Sequence, residues 1–239
     1  MNAGLGHTKT VPSPSNENIV NLNFWKMGKI SQGILGGFSG KVGNVIGGNW
    51  KGIDYMRIKP ANVANPQTEG QVDQRSKFST VLQFLQPMKD FIKVGFKNYA
   101  IKMTQFNNAM SYNLKNAVIG SYPNYSIDYA NALISRGSLA GVLNGAAASS
   151  VTGSVDFIWS DNSNVGNAQP TDKVMVLAYN KSKDVAIFIT DGAVRTAEAQ
   201  SLTVPNDFSG DSVECFIAFI SEDGLSVANS KYVGSVTVA

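Results

Sequence analysis

One histidine and one cysteine are spread over 239 residues. The histidine, His7, stands in a polar N-terminal stretch. That position argues against Ser-His-Asp and Cys-His catalysis, and a single histidine cannot make a multi-histidine metal site. The cysteine, Cys215, has no mate for an intrachain disulfide. It sits in the alternating apolar run Val213, Cys215, Ile217, Phe219, which predicts a buried, inert thiol. Charge is scarce too. Asp, Glu, Lys and Arg make up 15% of the chain, against about 25% in an average globular protein. Much of the surface is then Asn, Ser, Thr, Gln and Gly, a texture that suits stacking assemblies as well as monomers. No run of about 18 apolar residues exists to span a membrane. No charged segment followed by an apolar one opens the chain, so Sec export is unsupported and a cytoplasmic or virion-associated location is expected.

The charge that is present is unevenly divided. Residues 1–150 hold 15 Lys+Arg and 6 Asp+Glu, a net of +9. Residues 151–239 hold 5 Lys+Arg and 11 Asp+Glu, a net of −6. Such a body can dock basic part to acidic part on its own copies, or offer its basic part to a polyanion.

The sequence pattern changes at about the same place. Residues 1–26 are polar, carry Pro12 and Pro14 and show no periodicity; they read as a disordered tail. Met27 opens a new style of sequence and is an alternative start, which would make the first 26 residues a mis-assigned extension. From Gly28 to Gly52 glycine is dense, and the residues between are β-formers such as Val42, Val45, Ile46, Trp50, Ile53 and Tyr55. Gly-rich strands and a hairpin turning at Lys51-Gly52 are expected, ending at Pro60. Thr68 and Gln71 fit a capping box that starts a helix at Glu69. Phe78, Val81, Leu82, Leu85, Met88 and Ile92 form its core-facing stripe, and Pro87 kinks it or opens a second helix. A further helix is expected from about Thr104 to Ile119. Residues 141–150 read as a linker or strand edge. From 151 the period becomes two, with six or seven short runs separated by turns such as Asp191-Gly192 and Asp223-Gly224. An immunoglobulin- or fibronectin-like β-sandwich is expected over 151–239, able to fold alone. The fold class is thus α+β, with a domain over 27–150 followed by the sandwich.

Motifs for chemistry are weak. Gly36 to Gly43 suggests a phosphate loop, but a Walker loop needs Gly at Leu35 and Ser or Thr at Val42. Asp161 to Gly166 with Asp172 echoes a calcium loop. Val165 occupies a ligand position and the twelfth residue is Asp, not Glu, so a plain connecting loop is preferred. The acidic residues after 151 sit mostly at turns, where solvated charge is the default. Trp50, Arg57, Lys59, Arg75 and Lys77, with Lys51 and Tyr55 among them, have the residue types to track phosphates and stack bases. Those five residues are the candidate interaction set. The bland reading is a solvated or inter-subunit face, since no nucleic-acid-binding signature accompanies them. No catalytic residue, metal site or cofactor is expected.

Three segments carry a resemblance: Lys29-Ile-Ser-Gln-Gly-Ile-Leu-Gly-Gly-Phe-Ser-Gly-Lys-Val-Gly43, Trp50-Lys-Gly-Ile-Asp-Tyr-Met-Arg57 and Asn65-Pro-Gln-Thr-Glu-Gly-Gln-Val-Asp-Gln-Arg75. With the closing run Ala228 to Val238, they resemble a bacterial domain-of-unknown-function family over about residues 27–239. The Asn65-to-Arg75 segment is also similar to small proteins of phage and mobile elements. The family resemblance implies an N-terminal α+β part and a C-terminal immunoglobulin-like part. It brings no activity. The function expected is a non-enzymatic structural or assembly protein acting in multiple copies, phage- or surface-related. The alternative is a polyanion-binding module for nucleic acid or glycan.

Overall fold

The computed structural model describes residues 29–30, 36–50, 52–62, 67–99 and 103–239. The expected tail, residues 1–26, lies outside them. The chain divides into two compact units, residues 1–66 and residues 67–239. The boundary expected at 150/151 instead runs through the interior of the second unit. Redrawn at 66/67, the charge division is milder. Residues 1–66 hold 7 Lys+Arg and 2 Asp+Glu, a net of +5; residues 67–239 hold 13 and 15, a net of −2.

In the first unit, strands β1 (Lys29–Ile30), β2 (Phe38–Val42), β3 (Val45–Trp50) and β4 (Ile53–Ile58) form an antiparallel sheet in sequence order. The expected hairpin is present. Trp50 pairs with Ile53, and Gly52 supplies the positive φ of 88° that a two-residue turn needs.

The second unit opens with α1 (Glu69–Leu85), a 3-10 turn over Gln86–Met88 and α2 (Lys89–Gly95). Pro87 stands at the start of that turn, where its missing N–H leaves no helical bond unmade. The start at Glu69 agrees with the sequence, but its mechanism differs. The Thr68 hydroxyl makes no capping bond; its carbonyl accepts from the Gln71 and Val72 amides instead. Phe78 is another correction: it is half exposed, while Val81, Phe84, Leu85, Met88 and Ile92 are buried. Helix α3 (Gln105–Asn116) is capped by the Thr104 hydroxyl, which accepts from the Asn107 amide at 3.2 Å. It stops short of the expected end, because β5 (Val118–Ser121) begins a small hairpin with β6 (Asn124–Ile127).

Seven strands complete the unit: β7 (Leu143–Ala148), β8 (Ser154–Ser160), β9 (Lys173–Asn180), β10 (Val185–Ile189), β11 (Ala199–Thr203), β12 (Ser212–Ile220) and β13 (Lys231–Thr237). They make an antiparallel sheet β10-β9-β12-β13 and a second one, β11-β8-β7. Between the sheets lies one core: Val155, Phe157 and Trp159 meet Val174, Val176, Ala178, Val213, Cys215, Ile217 and Phe219. The other face of the four-stranded sheet is not solvated. Met175, Leu177, Tyr179, Phe216, Ala218 and Ile220 share a second core with Val81, Phe84, Leu85, Met88, Phe91 and Ile92 of the helices. This explains why β9 reads as an unbroken apolar run. A strand buried on both faces has no polar face to alternate with. The helices and the strands after 151 therefore bury one another.

Polar stitches lock the layers. The buried Asn113 side chain donates to the carbonyls of Ala109 and Leu133 and accepts from the Leu133 amide. Ser135 Oγ donates to the Ala228 carbonyl, and Ser230 Oγ accepts from the Ile134 amide. Arg195 and Asp172 form a buried ion pair at 3.0 Å. The guanidinium also donates to Asn162 Oδ1 and the Ala140 carbonyl and lies 3.7 Å from the Phe219 ring centre. Every fully buried side-chain N or O among the described residues has a partner.

Candidate functional site

The first unit is built differently. Along β4, Ile53, Asp54, Tyr55, Met56, Arg57 and Ile58 are all exposed. Ile58 is 77% exposed, Met56 71%, Ile53 65% and, on β3, Trp50 64%. Register assigns the faces, because directly opposed residues share one. Trp50–Ile53, Gly48–Tyr55 and Ile46–Arg57 fall on one face. Asn49–Asp54, Gly47–Met56 and Val45–Ile58 fall on the other. Gly47 is required there, since a Cβ would collide with the carbonyl and ring of Phe38. Apolar side chains thus stand on both faces of a ribbon. Asp54 accepts from Asn49 Nδ2 at 2.8 Å, which fastens the turn end of the hairpin.

The five expected interaction residues separate into two groups. Trp50 and Arg57 lie on one ribbon face with Tyr55 between them, and Lys59 follows β4 directly. Arg75 and Lys77 belong to α1, in the other unit. Lys77 is engaged locally. Its ammonium pairs with Asp73 at 2.8 Å and sits 5.1 Å from the Tyr125 ring centre. The Tyr125 hydroxyl donates to the same carboxylate. Hydrogen bonds from Lys77 and then Tyr125 hold the Asp73 carboxyl below its ordinary value, and the bond to Asp73 raises the Lys77 ammonium. Sequence reasoning missed Met56 and Ile58 as surface features. The signal was present: Ile53 to Ile58 puts apolar residues at odd and even positions alike, with Gly in place of bulk on the neighbouring strand.

The second unit offers clefts but no convergent chemistry. A groove of about 640 Å³ lies between Lys89, Asp90 and Lys93 of α2 and the Thr104–Asn107 end of α3. A smaller one, about 170 Å³, is lined by Gln83, Tyr129, Tyr179 and Asp184. There both Asp184 oxygens are taken, by Tyr179 Oη and Gln83 Nε2. Asp172, the last position of the calcium-loop echo, faces Arg195, and Asp161 accepts from Ser163. No group of three or more His, Cys, Asp or Glu among the described residues is placed to hold a metal ion. Burial pushes the Cys215 thiol up to about 12, the environment of an inert thiol. No described helix is long and apolar enough to cross a membrane.

Residues 37–234 match the profile of a family of unknown function (DUF6266), and the chain belongs to that family. The match runs from the ribbon into β13, so one family pattern spans both units. No curated protein and no solved structure matches the chain.

Proposed function

We propose that this chain is a non-enzymatic assembly protein, acting in multiple copies, in which the second unit is a rigid body and the ribbon makes the contacts. One observation carries the reading: β4 exposes all six of its residues, with large apolar side chains on both faces. Exposed apolar clusters of this kind mark interaction sites. The body supports the same reading. We take its seven strands as a fibronectin-type sandwich. The first, second and fifth strands form one sheet, and the third, fourth, sixth and seventh form the other, as in that fold. Such sandwiches commonly bind or space rather than catalyse, an argument by fold analogy. The buried Arg195–Asp172 pair is fully engaged in holding loops together, which leaves it to structure.

Sedimentation velocity across protein concentration and salt tests the proposal. Assembly predicts species that grow with concentration and loosen near 1 M salt, where the Debye length falls to about 3 Å. A monomer at all concentrations that binds heparin or a single-stranded oligonucleotide salt-dependently overturns it, in favour of a polyanion-binding module using Arg57 and Lys59.

A further inference from the structure

Among the described residues the ribbon has an open hydrogen-bonding edge, and hairpin geometry says which residues form it. In a two-residue hairpin the pair that closes the turn is hydrogen-bonded, and such pairs alternate along the ladder. Ile53, Tyr55 and Arg57 therefore spend their backbone groups on β3. The Lys59 amide, next in that series, donates to the Asn44 carbonyl at 2.7 Å. Asp54, Met56 and Ile58 point their N–H and C=O groups the other way. β4 is the last strand of its sheet, and no described backbone group receives them.

The other edges of the sheets of three or more strands carry protection. β1 is two residues long. β7 has a register shift with Asn144 at φ 51°, and β13 carries an extra residue at Val233 opposite the Cys215–Phe216 step and has Gly234 at φ 110°. β10 lies beside the Gln86–Met88 turn, with Phe188 packed on Phe91. β11 is bounded by Glu198 at φ 57° and Pro205. β4 pairs with β3 over six residues without a shift and contains no Pro, Gly or Lys. Its edge is regular over six residues, and Asp54 and Arg57 are its only charges.

We infer that β4 pairs antiparallel with β4 of a second copy, about a two-fold axis perpendicular to the sheet at Met56. This rests on the assembly reading and names its route. The occupant follows from the strand's own sequence. A two-fold of this kind keeps each residue on its face, so even positions meet even and odd meet odd. With Met56 opposite Met56, Asp54 faces Ile58, and Arg57 faces Tyr55 of the second copy, twice over. Opposed odd positions form the closer, non-hydrogen-bonded pairs, which suits a cation on an aromatic face. No like charges are directly opposed. A parallel, in-register copy would instead set Arg57 on Arg57 and Asp54 on Asp54. The two ribbons become one eight-stranded sheet with its former edge sealed.

Two variants of the full chain test this. Met56→Pro removes the outward N–H at the axis and leaves the β3 ladder intact; it should weaken dimerisation at least tenfold in sedimentation equilibrium. Met56→Cys should form a disulfide-linked dimer on mild oxidation, because hydrogen-bonded partners stand about 5.5 Å apart, within disulfide reach. Tyr55→Cys should not, being diagonal to its mate. Cys215 is buried and does not interfere. Cross-linking through Tyr55→Cys but not Met56→Cys overturns the pairing. Self-association that persists in Met56→Pro overturns the pairing and leaves the assembly reading standing. A wild-type chain that stays monomeric at high concentration sinks both.

Discussion

The two units use the same residue types to opposite ends. In the body, β9 and β12 place aliphatic and aromatic residues on both faces, and each face meets a core. In the ribbon, β4 also places apolar residues on both faces, and all remain exposed. A strand apolar on both faces is a request for two partners. Inside the body the helices and the second sheet answer it. In the ribbon nothing among the described residues does, and the open edge adds backbone groups to the request. The difference places two-sided apolar burial in one unit and two-sided apolar exposure in the other.

The sharpest way to break this comparison is to cut the body. Residues 151–239 alone lack β7 and all three helices, so Met175, Leu177, Phe216 and Ala218 would face water. This fragment should show no cooperative thermal transition by circular dichroism. Residues 67–239 should melt cooperatively by themselves. Cooperative folding of the shorter fragment would show that the helical core is an accessory.

Next in size is the aromatic junction of the body. Phe216 packs against Phe84, Tyr129 and Tyr232 at centroid distances of 6.2, 6.4 and 5.3 Å. Phe216→Ala should cost about 3–5 kcal/mol in denaturant unfolding. A cost under about 1 kcal/mol would mean that helices and sheet are loosely joined.

Alkali should attack the same unit. Burial pushes Tyr129 and Cys215 up to about 12 from ordinary values of 10.0 and 9.0. Burial first, then hydrogen bonds to Asp184 and Glu214, also raises Tyr179 and Tyr232. These groups stay neutral in the folded chain while the unfolded chain ionises. Their contribution is whole below about pH 9 and declines toward pH 12. The denaturant midpoint should fall through that window, equally in the full chain and in residues 67–239. A decline confined to the full chain would place the sensitive groups in the ribbon.

Much of this was legible beforehand, and the misses share a cause. The Gly-rich hairpin, the helix start at Glu69, the role of Pro87 and the burial of Cys215 rest on local chemistry, which sequence carries. The expected division at 150/151 falls inside the second unit, because period-two patterning identifies strands but not what covers their outer faces. The doubly apolar run from Val174 to Tyr179 was the clue that a further layer existed. Residues 141–150 were legible only as linker or edge, and their Gly and Ala content hid the strand β7. Of the interaction set, Trp50 and Arg57 share a face because strand parity says so. Arg75 and Lys77 were grouped with them by charge alone, which carries no geometry.

Helix caps give a finer test of local reading within the body. Thr104→Ala should cost about 1 kcal/mol, since its hydroxyl satisfies the Asn107 amide. Thr68→Ala should cost less than half of that, because the Thr68 side chain makes no capping bond. Equal losses at the two sites would mean that the capping box read from Thr68 and Gln71 forms in solution.

The smallest expected effect is the one on which the comparison depends most. Ile58→Ser replaces an apolar side chain that is 77% exposed and lies at the end of β4. Surface substitutions without buried contacts stay within about 0.5 kcal/mol. Chemical unfolding of the body, followed by the fluorescence of buried Trp159 at protein concentrations too low for self-association, should therefore be unchanged. At high concentration the outcome should differ. Ser keeps the outward N–H and C=O of position 58 but removes apolar area from the paired edge, so dimerisation should weaken severalfold, less than with Met56→Pro. A fall of several degrees in the dilute melting temperature would show that Ile58 belongs to a core, and the division between a stabilising unit and an interacting one would collapse.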